Sequence, residues 1–274
     1  MPDLIFPTLF IAHGGGPCFF MDPGPGLPRT LWDQLAAYLR GLQASIGRRP
    51  KAVLVISAHW ECARPTLLAA STHTLLYDYY GFPEHTYHLA YPASGSPEVA
   101  ARVRELLGLA GIESDVEMER GLDHGVFVPF KLIYPDADVP IVQLSLQHGL
   151  DAAQHLAIGH ALAPLRNEGV QIVGSGNSYH NLRDFFSSSK SASLASAQFD
   201  DWLGKAVESA PAERERLLTH WEQAPGARAS HPRSEHLLPL MVAAGAAGSD
   251  AGRVTYREQM LGKMFSGFQF GATS

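Results

Sequence analysis

The sequence predicts an α/β fold in which helices cover both faces of a central, mixed and mostly parallel β-sheet. Two observations predict it: short, continuous apolar runs recur along the chain, and helical patterns lie between them. Such runs are typical of strands buried on both faces, and strands that alternate with helices favour a parallel sheet. The length of 274 residues fits one or two domains. Because helical patterns on both sides of the one low-complexity segment can share a core, we expect a single domain over residues 1–274.

The predicted strands are the apolar runs that end abruptly in polar or glycine-rich residues. Their carboxyl ends are expected to meet at one edge of the sheet, which is where open α/β sheets bind their ligands. The runs cover residues 8–12, 52–56, 140–144 and 170–173.

Helical signals lie between and after the predicted strands. Apolar residues in segment 31–46 repeat with a period of about 3.6 residues, which places them on one helix face. Segment 97–107 follows Ser96, a suitable N-cap, and has Pro97 at its first position. The serine-rich segment 187–193 is expected to be a flexible loop or a mobile lid. Further helices are predicted over residues 152–165, 194–210, 213–223 and 235–244.

Composition and charge exclude several classes of protein. Hydrophobic residues make up 46% of the chain, which excludes a disordered protein. The net charge is −6 and no run of Lys and Arg occurs, so a nucleic-acid partner is disfavoured. No apolar run reaches the roughly 18 residues of a transmembrane helix, and residues 1–4 lack the basic region of a signal peptide. Two cysteines without a CxxC motif fit a reducing compartment, so we expect a cytoplasmic protein.

The thirteen histidines are the most informative residues. His13, His59 and His180 lie at or just after predicted strand ends, and His236 lies at the start of the last predicted helix. Imidazole is the commonest protein ligand of transition metals, so these positions predict a mononuclear, histidine-rich metal site. A single histidine at a strand end is more often a hydrogen-bonded structural residue. That structural interpretation fits the histidines in loops and on helix faces, which are His73, His85, His88, His148, His155, His160 and His220.

Two further motifs each carry two interpretations. Glycines 14–16, after His13, could hold an anion on their backbone N–H groups, or they could let a substrate approach a metal closely. They lack the GxGxxG spacing and the lysine of a P-loop, so nucleotide binding is disfavoured. His124, between Asp123 and Gly125, fits either an acid–base residue or a turn histidine that is bonded to backbone.

Nucleophilic catalysis by a side chain has less support. No GxSxG nucleophile elbow occurs, and Ser57 and Ser175 at strand ends are more simply explained as hydrogen-bonding loop residues. Cys18 and Cys62 each follow a candidate ligand closely, and a thiol can bind a metal, but neither lies in a catalytic motif. We therefore interpret both cysteines as structural.

Eight short segments, taken in order, give the chain a family resemblance. Together they resemble the class III extradiol ring-cleavage dioxygenases, and most closely the 4,5-DOPA dioxygenase extradiol-like branch. Each segment is short, but the ordered set is specific and spans nearly the whole chain. The segments are AHGGGP at residues 12–17, SAHW at 57–60, YGFP at 80–83, YPASGSP at 91–97, LDHG at 122–125, YPDADVPIVQLS at 134–145, GSGNSYHNL at 174–182 and EHLLPL at 235–240.

The resemblance implies a single-domain α/β enzyme with one divalent metal ion per chain, Fe(II) or Zn(II). It implies metal ligation by His13, His59 and His236, with His180 in or beside the same set of ligands. Other class III enzymes complete the site with a glutamate, whereas this sequence places Glu235 next to His236. Whether Glu235 contributes a carboxylate ligand stays open at this point.

The activity implied by the resemblance is cleavage of the aromatic ring of a DOPA-like catechol, with both atoms of dioxygen incorporated. His180 and His124 would be the catalytic residues. His180 is expected to act as the base for one catechol hydroxyl and not to remain a tight metal ligand when substrate is bound. Gly15, Trp60 and Phe82 are expected to bind the substrate, although core packing explains the two aromatic residues equally well. The expected partners are a small aromatic diol and O2, and a homodimer is left open.

Two other classes of function also stay open. A zinc hydrolase would use metal-bound water as the nucleophile and Glu61 or Glu235 as the base. A non-catalytic metal-binding protein would enclose its metal in a closed shell of four histidines. Oxygen uptake on catechols separates the first alternative from a dioxygenase, and the coordination number of the metal separates the second.

Overall fold

One eight-stranded, mixed β-sheet with helices on both faces forms the fold, as the sequence predicted. The computed structural model describes residues 5–272, so residues 1–4, on which the expected absence of a signal peptide rests, lie outside it. The described strands are β1 Thr8–Ala12, β2 Ala52–Cys62, β3 Thr66–Leu68, β4 Asp115–Glu117, β5 Ile141–Gln147, β6 Val170–Gly176, β7 Gly252–Met260 and β8 Lys263–Phe270. The described α-helices are α1 Asp33–Ile46, α2 Pro97–Leu109, α3 His124–Ile133, α4 Ala152–Leu162, α5 Leu182–Phe185, α6 Lys190–Glu208, α7 Pro211–Thr219, α8 Ala227–Ser230 and α9 Leu238–Ala247.

The centre of the sheet consists of the four strands that the sequence predicted. The strand order is β4-β3-β5-β2-β6-β1-β8-β7, with parallel pairing of β2 to β5, β2 to β6 and β1 to β6. β3 and β8 pair antiparallel with their central neighbours. The sequence analysis missed the outer strands. β3 and β4 have three residues each, and much of β7 is exposed or only partly buried. β8 is almost wholly buried, but the buried polar residues Lys263, Ser266 and Gln269 interrupt its apolar run.

Alternate side chains of the central strands pack into separate layers on the two faces of the sheet. Leu54 and Ile56 of β2 pack with apolar residues of α2, α4, α6 and α9, whereas Val53 and Val55 pack with those of α1 and α3. All four side chains are fully buried. This two-sided burial explains why the central strands are continuous apolar runs rather than alternating ones. Within residues 5–272, no helix combines the length and the apolar character needed to cross a membrane.

The serine-rich segment is partly the start of a helix. α6 begins at Lys190, where the sequence predicted a start at residue 194. The Ser189 side chain accepts a hydrogen bond from the backbone N–H of Ala192 and so caps the helix. The expectation of a flexible loop over residues 187–193 is therefore wrong for the second half of that segment.

Two helices that position the candidate site begin elsewhere than expected. The sequence left a turn around His124 open, but His124 is the first residue of α3, which contains the poor helix formers Gly125 and Pro129. α9 begins at Leu238 rather than at residue 235, and its Pro239, which has no N–H donor, lies in the first turn. Residues 235–237 form a turn instead. The other predicted helices are confirmed with ends shifted by a few residues.

The register of the central strands brings their carboxyl ends together. Ala12 at the end of β1 is paired with Gly176 at the end of β6, and Ser57 of β2 is paired with Ser175 of β6. The backbone N–H of Asn177, just after β6, donates to the carbonyl oxygen of His236 at 3.1 Å. Segments that are far apart in the sequence therefore meet at one edge of the sheet.

Candidate active site

Three of the predicted histidines form a cluster at this edge. The side chains of His13, His59 and His236 each offer a nitrogen, and these nitrogens lie within 4.8 Å of one another. The Nε2 atoms of His13 and His59 are 3.1 Å apart. His59 lies inside β2 rather than after it, where the pairing of β2 with β5 shifts register between Ile56 and Glu61. This irregularity in the strand explains why a histidine within β2 reaches the cluster.

The outer nitrogens of two of these rings have fixed hydrogen-bond partners. The Ser175 hydroxyl donates its proton to the Gly125 carbonyl, so it must accept a hydrogen bond from His13 Nδ1, which lies 3.0 Å away. The Glu235 carboxylate lies 3.0 Å from Nδ1 of His236 and can only accept there when ionised. Both rings therefore carry their proton on Nδ1, which leaves the lone pair of Nε2 free.

Burial keeps the clustered rings neutral. Burial, and then the charges of neighbouring histidines, lower the pKa of His13 and of His236 well below the ordinary value. Burial and the nearby His124 lower the pKa of His59 to about 3. Neutral imidazole is the form that binds metals. Two nitrogens bound to one ion at about 2.1 Å lie roughly 3.0–3.4 Å apart. The 3.1 Å between the Nε2 atoms of His13 and His59 therefore fits a divalent transition metal.

His180 lies beside the cluster through a shared carboxylate. Its ring stacks on that of His236 with centroids 3.3 Å apart, and its Nδ1 lies 2.9 Å from Glu235 Oε1. Burial raises the pKa of Glu235, but the hydrogen bond from His180 and the charge of Arg233 outweigh it, and the pKa is lowered. Glu235 is thus an ionised carboxylate that holds two imidazoles. It groups with His180 and His236 rather than with His13 and His59.

His124 is held by a second carboxylate, that of Asp78. Asp78 Oδ1 lies 2.7 Å from His124 Nδ1 and 3.0 Å from the backbone nitrogen of the same residue. Burial raises the pKa of Asp78, but the hydrogen bonds and charge of His124 outweigh it, so the pKa is lowered. The other oxygen of Asp78 lies 3.8 Å from His59 Nδ1. The sequence analysis did not find Asp78, because it lies 46 residues from His124 and in no recognisable motif.

The carboxylate of Asp123 holds the irregular part of β2 through hydrogen bonds. This fully buried carboxylate accepts hydrogen bonds from the Ser57 hydroxyl at 2.6 Å, from Arg120 Nη1 at 3.2 Å and from the Gln143 amide. Burial raises the pKa of Asp123, against the charge of Arg120, which lowers it. Arg120 also donates to the carbonyl oxygen of His59 at 3.1 Å. Ser57 is a hydrogen-bonding residue, as the sequence predicted, and its partner fixes the backbone next to His59.

A cavity of about 350 Å³ opens beside the histidine cluster. Gly15 and Phe82, both predicted to bind substrate, line it, whereas Trp60 does not. Trp60 is buried under the guanidinium group of Arg120, 4.9 Å from its ring centroid. The described lining residues are His13, Gly14, Gly15, Gly16, Cys18, Met21, Pro23, Leu27, Leu31, Trp32, His59, Tyr79, Phe82, His124, Asn177, Tyr179, His180, Asn181, Leu182, Phe185, Phe186, His236 and Phe265.

The glycine run serves close packing next to the cavity. Gly16 has φ +53°, and a Cβ atom there would lie 2.9 Å from the ring of Phe82. Only glycine adopts this conformation readily, and only glycine leaves room for the ring. The structure thus gives Gly16 a packing role against Phe82, and the close approach of a substrate to a metal at this run stays a prediction.

The remaining chemical candidates have structural partners. Burial raises the pKa of the free Cys18 thiol to about 12, so it is not a thiolate. Cys62 is also a free thiol, and among the described residues neither cysteine belongs to a group that could hold a metal. Glu61 forms a bidentate ion pair with Arg233, in which both contacts are 2.6 Å long. Its negative charge is therefore balanced by this arginine. His231, which the sequence analysis did not single out, is buried and lies 2.9 Å from the carbonyl oxygen of Ser178.

The fold and the site together define an α/β enzyme with a histidine cluster that could bind a metal beside an apolar cavity. The chain belongs to the family of the catalytic LigB subunit of aromatic ring-opening dioxygenases, whose model matches residues 7–268.

Curated relatives agree with this family. The 4,5-DOPA dioxygenase extradiol of Beta vulgaris is 39% identical over 251 residues, covering 91% of this chain and 90% of that protein. The protein of the same name from Escherichia coli K12 is 35% identical over 248 residues, covering 90% and 87%. An uncharacterized Escherichia coli K12 protein of known structure matches with a TM-score of 0.75 at 31% identity, over 97% of this chain and 100% of its own.

These matches show that the chain is an extradiol ring-cleavage dioxygenase, which acts on an aromatic substrate with O2. The zinc hydrolase that the sequence left open is not favoured. The interpretation as a non-catalytic metal-binding protein is wrong, because the relatives are enzymes and a cavity adjoins the cluster.

Proposed function

We propose that this chain cleaves the aromatic ring of a catechol and holds one divalent metal ion, Fe(II) or Zn(II), on His13, His59 and His236. The observation that carries the proposal is the convergence of three neutral imidazoles next to a cavity, with His13 and His236 buried and His59 partly buried. A volume of about 350 Å³ lies within the range of small-molecule sites, roughly 300–1,000 Å³. Relatives named for DOPA, which is itself a catechol, support the substrate class.

His180 is the proposed base for one catechol hydroxyl. Because its Nδ1 is engaged by the ionised Glu235, its Nε2 is the nitrogen left to accept a proton, and the residue lines the cavity. A carboxylate partner stabilises the imidazolium that forms. A proton acceptor must be free to leave the metal, so His180 is not a tight ligand in the substrate complex.

His124 is proposed to hydrogen-bond the substrate or dioxygen. Asp78 engages its Nδ1, and the remaining Nε2 belongs to a residue that lines the cavity. Gly15 and Phe82 are proposed to contact the ring of the substrate. The carboxylates of Asp78 and Glu235 flank the cluster and offset the charge of a divalent ion.

Fe(II), when bound, supplies the redox chemistry by which electrons of the ring reach dioxygen, whereas Zn(II) has no redox chemistry. We therefore expect ring cleavage in the iron-loaded protein and none in the zinc-loaded protein, although both ions bind. The single catalytic domain and the cytoplasmic location stay predictions, and whether the chain forms a homodimer stays open.

Oxygen consumption tests this proposal. Protein reconstituted anaerobically with Fe(II) is assayed against a panel of small catechols that includes L-DOPA, and metal content is measured on the same sample. Oxygen uptake with a yellow, ring-opened product is expected at about one metal ion per chain. His88→Ala, which changes an exposed histidine paired with Glu84, is the matched control and keeps full activity. Absence of uptake on every catechol at full iron occupancy contradicts the proposal.

A further inference from the structure

Much of the wall of the active-site cavity is apolar. Leu27, Leu31, Trp32, Phe185 and Phe186 all line it. The rings of Trp32 and Phe185 stack with centroids 6.5 Å apart, so these two lining segments lie next to each other. A group attached to a ring bound at the histidine cluster would therefore lie among aromatic and aliphatic side chains.

Exposed apolar residues continue the wall toward the solvent. Leu182 and Phe186 both line the cavity, yet they are 69% and 68% exposed. Leaving such side chains in water without a partner costs free energy that an apolar ligand recovers on binding. The entrance of the cavity is therefore apolar, like its interior.

No acidic side chain, and no lysine or arginine, is among the described residues that line this cavity. Among the charged residues next in sequence to this lining, Arg183 is exposed and does not line the cavity, and Asp22 and Asp184 are engaged elsewhere. Asp22 accepts from the Gly24 backbone N–H at 3.1 Å and lies 3.9 Å from Arg29. Asp184 accepts from the Asn181 amide at 3.1 Å. An ammonium or carboxylate group on the substrate would therefore meet no opposite charge in the walls.

The asparagine side chains of the lining and the Tyr179 hydroxyl do not offer a substitute for an ionic partner. Asn177 donates to the Gly14 carbonyl at 3.1 Å, and Asn181 donates to the carbonyl of Ala229 at 2.8 Å. Asn177 Oδ1 and the Tyr179 hydroxyl have no partner, but both atoms are buried and uncharged. A charged group that loses its hydration without an ionic partner is strongly disfavoured.

We infer that the preferred catechol carries an uncharged, apolar substituent, such as an alkyl or aryl group, rather than an amino-acid side chain. This inference rests on the proposed catechol cleavage and narrows its substrate. Apolar substituents gain free energy when they enter such walls. The zwitterion of DOPA loses hydration there and gains no charged partner.

A set of catechols that differ in charge at similar size tests the inference. The probes are 4-propylcatechol, 3-(3,4-dihydroxyphenyl)propionate, dopamine and L-DOPA, assayed with the iron-loaded enzyme. We expect kcat/KM for 4-propylcatechol to exceed that for each charged probe by ten-fold or more. Calorimetric binding to the zinc-loaded enzyme, which does not turn over, is expected to give the same order of affinities.

A charge variant at the entrance provides an independent readout. Phe186→Arg places a cation in the wall and is expected to raise the ratio of kcat/KM for the propionate to that for 4-propylcatechol by at least five-fold. Leu194→Arg is the matched control, since Leu194 is also exposed but does not line the cavity, and its ratio stays that of the unchanged enzyme.

The outcomes separate this inference from the proposed function. If L-DOPA is bound and cleaved as well as 4-propylcatechol, or better, the inference is overturned while catechol cleavage stands. If the metal-loaded enzyme neither binds nor cleaves any catechol, the proposed function fails and the inference fails with it.

Discussion

The ring of His180 lies on the ring of His236, with centroids 3.3 Å apart and planes inclined by 19°. One oxygen of Glu235 lies 2.9 Å and 3.0 Å from the Nδ1 atoms of the two rings. A single ionised carboxylate therefore sets the tautomer of a proposed metal ligand and of the proposed base together. The two functions are coupled through Glu235, although Glu235 itself need not touch metal or substrate.

Glu235→Gln is expected to weaken metal binding. Both Nδ1 atoms lie against the same oxygen of Glu235, and the oxygen of a neutral amide accepts these two hydrogen bonds more weakly than a carboxylate does, so both histidines are held less firmly. Loss of such an outer contact typically costs about 10–100-fold in metal affinity. A competition titration of Zn(II) against a chelator measures the change, with Glu84→Gln, at the exposed pair with His88, as the control. An unchanged affinity would show that Glu235 does not position the ligands.

Alanine variants of the histidines should fall into two groups. His13→Ala and His59→Ala remove proposed ligands and are expected to lose most of the bound metal. His180→Ala removes the proposed base and is expected to keep the metal while turnover falls by at least about 100-fold, the range for loss of general base catalysis. Metal analysis and oxygen uptake on the same samples separate the groups. Equal metal loss in all three variants would contradict the assignment of different roles to His180 and to the two proposed ligands.

Gly176→Ala is expected to disturb the site through the backbone. A Cβ atom at position 176 would lie 2.0 Å from the carbonyl oxygen of His236, so the turn that carries His236 must move away from β6. Overpacking of this kind costs about 1–3 kcal/mol of stability, and we expect loss of bound metal with it. The control is Gly204→Ala in α6, where the new Cβ meets Val254 at an ordinary 3.5 Å. Urea unfolding and metal analysis report the two effects, and full metal retention would contradict the prediction.

His231 should make the metal-free protein acid-sensitive. Burial lowers its pKa to about 4 in the folded chain, while an unfolded histidine titrates near 6.5. The unfolded chain therefore binds more protons between these values, and the free energy of unfolding falls as the pH drops from about 6.5 to 4.

His231→Gln removes this titration. Each pKa unit corresponds to about 1.4 kcal/mol, so the variant's free energy of unfolding is expected to fall by about 3 kcal/mol less than that of the unchanged protein as the pH drops. Urea unfolding at pH 7 and pH 4 measures it, with His88→Gln as the exposed control. The prediction concerns the change with pH, so a constant loss of stability in the variant does not affect it. An identical fall in the variant and the unchanged protein would refute it.

The central strands and most helices were predictable because their signals are local. Leu54 and Ile56 alternate with Val53 and Val55 in a run that is apolar on both faces, and such a run has few other interpretations. α3 was harder to predict because it contains Gly125 and Pro129, which are poor helix formers, and because only Lys131 of its residues is not buried. Edge strands of three residues carry too little pattern to be recognised.

The sequence by itself determined the four central strands, the histidines near their carboxyl ends and the family resemblance, because apolar runs and short motifs depend on neighbouring residues. Only the tertiary structure decided which side chains support those histidines. Asp78 reaches His124 across 46 residues and Ser175 reaches His13 across 162, and no local pattern records such distances. The tertiary structure also shows that Trp60, which the sequence predicted to bind substrate, does not line the cavity. A side chain on an irregular strand faces whichever side the register shift allows, and that shift is set by partners elsewhere in the chain.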